Sequence, residues 1–259
     1  MHVLELTLAQ YELIANAFSF TIATMAAATL FFWLGRSQVA PAYKTALTIT
    51  GLVTFIAAYH YVRIGQSWDA AFDVVDGGVQ ATGVPFNDAY RYVDWLLTVP
   101  LLLVELILVM NLPRKETVSK GVRLGGLAAL MIVLGYPGEI SDGVGASFLW
   151  GTLSMIPFLW IVYELFVGLK DSIAKQPEDV RGLVNTARWV TVLAWAFYPV
   201  VYFAGIVFGL GGGVSETVVQ VGYTIADIVA KAGFGILIYM IAVRKSAYDQ
   251  GAQPVAAPA

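Results

Sequence analysis

Residues 90–112 read YRYVDWLLTVPLLLVELILVMNL. A bilayer core about 30 Å thick is crossed by about 20 mostly apolar residues in a helix, so this run is long enough to span a membrane. It also carries Arg91, Asp94 and Glu105, which are costly in hydrocarbon and mark intramembrane functional sites by default. Working outward, six further apolar runs appear, at residues 11–34, 43–64, 122–136, 146–169, 184–210 and 216–243. The fourth is short, and Gly135, Pro137 and Gly138 punctuate its end. The chain is therefore read as an all-α membrane protein, a bundle of seven transmembrane helices over residues 1–249. The Pro/Ala-rich residues 250–259 are expected to form a disordered tail.

Composition agrees. Of 259 residues, 58% are hydrophobic and 13% charged, and mean hydropathy is +0.73. A soluble domain carries roughly 25% charged residues, so the lipid bilayer is the expected partner. A net charge of −3 points away from nucleic acid. With no cysteines and two histidines, disulfide frameworks, thiolate metal sites and thiol nucleophiles are excluded, and a histidine-rich metal centre is not expected. The first ten residues lack the basic and apolar regions of a cleavable signal sequence.

Basic residues accumulate in short cytoplasmic loops. Arg36, Lys44, Arg114, Lys115, Lys120, Arg123, Lys170, Lys175, Arg181, Arg188, Arg244 and Lys245 all fall on one side of the seven runs. The opposite connections hold Asp69, Asp73, Asp76, Asp88, Glu139, Asp142 and Glu216. The N-terminus is thus expected outside and the C-terminus in the cytoplasm. Between residues 65 and 87, Asp76-Gly77-Gly78 lies between Val-rich stretches, the pattern of a short β-hairpin capping the bundle.

The ionisable residues inside the spans carry the chemistry. At about 100° and 1.5 Å per residue, Asp94, Thr98 and Glu105 share one stripe of the third helix. Arg91 stands at its outer end, and the two carboxylates are separated by about 16 Å of rise. Glu105 sits among Leu101, Leu102, Leu103, Val104, Leu106 and Ile107. Burial of this kind disfavours the charged form, so Glu105 is expected to hold a proton at neutral pH and to be able to hand it over. An interhelical ion pair beside a polar bundle face is the plainer alternative.

In the seventh helix Asp227 and Lys231 lie one turn apart on one face. Lys231 is either a structural partner of Asp227 or an amine kept in an apolar pocket to condense with a carbonyl compound. Trp95, and Trp195, Tyr198 and Tyr202 on one face of the sixth helix, offer flat walls for an elongated conjugated ligand. Core packing explains such a stripe as well. Pro199 adds a kink or hinge.

These residues resemble the microbial rhodopsins, seven-helix membrane proteins that hold retinal on a lysine of the last helix. The resemblance covers nearly the whole chain. It is carried by residues 91–100 (RYVDWLLTVP), 195–199 (WAFYP) and 227–231 (DIVAK). Asp94, Thr98 and Glu105 are similar to the pattern of the proteorhodopsin and xanthorhodopsin branch of outward proton pumps. His60, the long second connection, and the segments 135–141 (GYPGEIS) and 150–154 (WGTLS) resemble the xanthorhodopsins in particular.

The resemblance implies an all-trans retinal on Lys231 as a protonated Schiff base, with Asp94 as counterion and proton acceptor and Asp227 as second counterion. It implies Arg91 beneath them, Glu105 as proton donor from the cytoplasmic side, and His60 hydrogen-bonded to Asp94 to tune it. It places Leu102 at a colour-tuning position where leucine accompanies green absorption, and Met131 and Gly135 against the ring half of retinal. Gly151 stands where glycine opens a window for a carotenoid antenna in some members, or it simply allows close helix packing. A homo-oligomer, trimer or pentamer, is implied too. The protein is then a light-driven ion transporter in a prokaryotic membrane rather than an enzyme. A photosensory rhodopsin signalling through a transducer is the rival, and would not need an acid at 105. Sodium and chloride pumps usually replace the acids at 94 and 105. A chromophore-free solute transporter would be colourless. Glu216 is the lone acid near the last outer connection, so no paired release group is assigned, and Glu164 is read as an interhelical residue.

Overall fold

The computed structural model describes residues 5–87, 89–141, 143–208 and 212–251. Most of the expected tail, residues 252–259, lies outside them, as do Asp88, Asp142 and residues 209–210 at the end of the sixth expected span. Seven rods are long and apolar enough to cross a membrane. They are α1 (Leu8–Gly35), α2 (Lys44–Ala71), α3 (Ala89–Val109), α4 (Arg114–Glu139), a rod made of α5 (Val144–Tyr163), a π turn (Glu164–Gly168) and α6 (Lys170–Ala174), α7 (Glu178–Phe208), and a rod made of α8 (Gly212–Asp227), a π turn (Ile228–Gly233) and α9 (Phe234–Asp249).

Local chemistry sets several boundaries. Thr7 caps α1, its side chain accepting from the Gln10 amide while the Gln10 side chain returns to Thr7; both satisfy donors that a helix start leaves unpaired. Asn111 adopts φ 50° just past α3, the left-handed conformation that ends many helices. Between α2 and α3, β1 (Phe72–Val75) pairs antiparallel with β2 (Gly78–Ala81), Val75 opposite Gly78. The turn residues Asp76 and Gly77 have φ 50° and 78°, as a two-residue hairpin of this twist requires. Through Phe72 the hairpin packs on Tyr11 and Trp68, with Phe86 on the other side of Trp68, where α1 begins and α2 ends.

Packing is inverted relative to a soluble protein. Large apolar side chains such as Phe20, Leu34, Leu130 and Leu193 face outward, while Arg91, Asp94, Glu105, Asp227 and Lys231 are buried. Interior charge requires partners, and lipid accepts the apolar exterior.

Two boundaries correct the sequence reading. The fourth helix is a full span of 26 residues, Arg114–Glu139, not the short run 122–136. Its basic first turns are helical although too polar to count as apolar, and Pro137 falls in the last turn, where a missing amide disturbs little. The second helix runs to Ala71, past the expected end at residue 64, so His60 lies about three turns before the helix end that meets the hairpin.

Candidate functional site

The centre of the bundle is one amine between two acids. Lys231, on the π turn of the last rod, places Nζ 2.8 Å from Asp94 Oδ2 and 2.6 Å from Asp227 Oδ1. All three side chains are buried. The two acids are held differently. Asp227 Oδ1 also accepts from the Tyr198 hydroxyl at 2.6 Å and from Trp95 Nε1 at 3.3 Å. Its Oδ2 accepts from the Tyr61 hydroxyl at 2.8 Å. Asp94 pairs with Lys231, and its Oδ1 lies 3.9 Å from His60 Nδ1.

That last distance changes the expectation for His60. Its Nδ1 is 2.9 Å from the Ile56 carbonyl of its own helix, so the imidazole stands beside Asp94 without a direct hydrogen bond to it. Thr98 is likewise turned to its own helix, donating to the Asp94 carbonyl at 2.8 Å. Arg91 is buried one turn before Asp94 in α3, its guanidinium over the rings of Phe18 and Tyr223 at 5.7 and 5.5 Å. Glu105 is fully buried and separate from this centre.

From Lys231 a pocket of about 850 Å³, its open mouth included, runs between α3, α4, α5 and α7. Trp95 and Leu102 form the α3 wall, and Met131 and Gly135 the α4 side. Trp195, Tyr198, Pro199 and Tyr202 line it from α7, and Gly151 from α5. All nine pocket residues expected from the sequence are therefore brought together. A Cβ on Gly151 would stand 2.6 Å from Tyr202 Cε1 and 3.1 Å from Phe203 Cζ, so this glycine lets α5 and α7 approach closely. Pro199 stands inside α7.

The pocket fits the polyene aldehyde implied by the sequence. Its walls are aromatic and aliphatic carbon, and its one amine stands at the end where two carboxylates can balance a positive nitrogen. Lys231 Nζ is here the free ammonium, standing in for the imine nitrogen of the bound form.

Sequence reasoning missed Tyr61, which joins Asp227 across the bundle, and Tyr223, Phe158 and Met155 in the pocket wall. Tyr223 had a usable signal, since 223, 227 and 231 repeat every four residues along one helix face. Tyr61 had none, because its partner is 166 positions away. Glu164 is interhelical as expected, accepting from Arg123 at 2.9 Å.

A family model described as "Bacteriorhodopsin-like protein" matches residues 12–245. The green-light absorbing proteorhodopsin of Gamma-proteobacterium EBAC31A08 is 33% identical over 231 residues, covering 89% of this chain and 86% of that protein. The solved structure of xanthorhodopsin, described as a light-driven ion pump with dual chromophore, is 51% identical with a TM-score of 0.92. It covers 97% of this chain and 100% of that one. The structure of thermophilic rhodopsin is 46% identical, also at a TM-score of 0.92, covering 95% and 99%. Sequence match, bundle architecture and the paired lysine lead to one conclusion: the chain belongs to the bacteriorhodopsin-like family, the microbial rhodopsins.

Proposed function

We propose that the protein is a light-driven outward proton pump that carries all-trans retinal on Lys231. When bound, the retinal supplies light absorption and a change of shape that alters the surroundings and proton affinity of Nζ.

The remaining steps belong to the chain's own groups. In the resting protein Nζ holds a proton whose charge Asp94 and Asp227 balance. Asp94 Oδ2, 2.8 Å away, is the acceptor. Protonating Asp227 instead would disturb the hydrogen bonds from Tyr61, Tyr198 and Trp95, so Asp227 stays ionised and Asp94 takes the proton. Arg91, on the outer side of Asp94, balances the centre as that proton moves outward. His60, beside Asp94, tunes it from α2. Glu105 holds a proton in a dry site on the cytoplasmic side, returns it to Nζ and is refilled from the cytoplasm. With the N-terminus outside, the order of these two carboxyls along α3 makes the transport outward.

Glu105 is the observation that carries this reading over the photosensory one. A sensor needs Lys231 and its counterions but no buried carboxyl about 16 Å further along the same helix face. The basic loops support an outside N-terminus and cytoplasmic C-terminus, and the family likeness supports a homo-oligomer, trimer or pentamer. Gly151 and the likeness to xanthorhodopsin support a carotenoid antenna beside the pocket mouth.

Cells expressing the protein with all-trans retinal, illuminated without buffer, should acidify the medium, and a protonophore should abolish the change. Coloured protein with no acidification would favour the sensor.

A further inference from the structure

The last turns of α9 contain a lysine that is drawn inward. Lys245 is buried, and its Nζ donates to the Met110 carbonyl at 2.5 Å and to Gln176 Oε1 at 2.6 Å. Gln176, buried as well, donates from Nε2 to the same Met110 carbonyl at 3.2 Å and to the Ser172 carbonyl at 3.3 Å. The Tyr43 ring lies 5.5 Å from Nζ, and the Tyr43 hydroxyl donates to Asp249 Oδ2 at 2.8 Å. One ammonium thus joins the end of α3, the start of α2, the connection from α6 to α7, and α9. Lysines near the ends of membrane helices ordinarily extend their charge to water; here it is spent on main chain and amide.

The position matters because Met110 is five residues past Glu105, about 7.5 Å of rise. The layer between them is apolar. Leu106, Ile107 and Val109 of α3 and Ile238 and Ile241 of α9 are buried there in one cluster. A proton coming from the cytoplasm to Glu105 meets the Lys245 node first and this layer next. A pump must refill Glu105 without a standing leak, so the layer has to part only transiently.

We propose that Lys245 is a positioning residue that keeps the cytoplasmic side shut, pinning the end of α3 to α9 and the α6–α7 connection, and that refilling Glu105 requires release of this contact. The inference rests on the pump reading given above.

Lys245→Met removes the donor, Gln176→Leu removes its amide partner, and Lys245→Arg keeps the donor. Retention of the visible band with retinal reports folding. Time-resolved infrared absorption of the Glu105 carboxyl should show refilling about tenfold faster in Lys245→Met and Gln176→Leu, the scale of one charge-assisted hydrogen bond. Transfer to Asp94 should stay within about twofold, and Lys245→Arg should behave like the parent. Unchanged refilling in both variants overturns the proposal. So does an equal change in both steps, or loss of the visible band in both variants, since Lys245 would then act through general packing. Hydrogen exchange in the dark gives a readout independent of pumping. Amides of residues 106–112 should exchange about tenfold faster in Lys245→Met, with those of α1 unchanged; equal protection overturns the closure. A parent protein that binds retinal but moves no protons sinks the pump reading, and the exchange result still decides whether Lys245 holds this side shut.

Discussion

Asp94 and Asp227 stand at nearly equal distances from one amine, yet their surroundings differ. Three further donors fix Asp227, and Asp94 pairs with Lys231 beside His60. Asp94→Asn should therefore abolish light-driven proton movement, because the amine loses its acceptor while Asp227 stays engaged. Glu105→Gln should leave the early transfer to Asp94 within about twofold and slow recovery of the resting state by about 100-fold, the scale of a lost general acid. Flash spectroscopy with a pH-indicating dye separates the two steps, and equal slowing of both would remove Glu105 from the donor role. At this scale the sequence was most informative where burial is costly: Asp94, Glu105, Asp227 and Lys231 stood out because hydrocarbon leaves ionised groups few uses. The contacts of His60 were not legible. Whether its ring reaches Asp94 or the Ile56 carbonyl depends on a rotamer and on the packing of α2 against α3.

The helices depart from regular pitch at Glu164–Gly168 and at Ile228–Gly233. Single π turns are rare and recur at functional sites; the second holds Lys231 and widens the backbone just where the amine must reach both acids. Neither was legible, since a π turn needs no particular residue and emerges from packing. The spans themselves were legible because lipid demands a minimum apolar length, whereas their ends were not, because the basic residues of α4 continue the helix into water. Packing between α5 and α7 gives a test at this scale. Gly151→Trp must displace Tyr202, whose hydroxyl donates to the Ser147 carbonyl at 2.8 Å, and Phe203. Overpacking of this kind destabilises by about 1–3 kcal/mol, read as a lowered Tm of the retinal-loaded protein. If a carotenoid leans on Gly151, adding one to the parent protein should induce a circular-dichroism band that the variant lacks. A band of equal strength in both would leave Gly151 to helix packing alone.

Across the whole molecule most of the basic residues gather at one end. The hairpin end presents Asp73 and Asp76, and the opposite end presents Arg36, Lys44, Arg114 and Lys115. Short basic loops are retained in the cytoplasm during insertion, so on the pump reading this asymmetry supports one orientation of the stripe from Asp94 to Glu105, the one in which protons travel outward. The chain has no cysteines, which makes that orientation measurable with single introduced thiols. Gln80 on β2 and Lys115 at the start of α4 are both exposed. In intact cells a membrane-impermeant maleimide should label Gln80→Cys and leave Lys115→Cys unlabelled, and after the membrane is opened both should react. The reverse pattern would invert the protein in the bilayer. Glu105 would then face the outside, Asp94 would discharge toward the cytoplasm, and the same residues in the same geometry would have to be read as an inward pump.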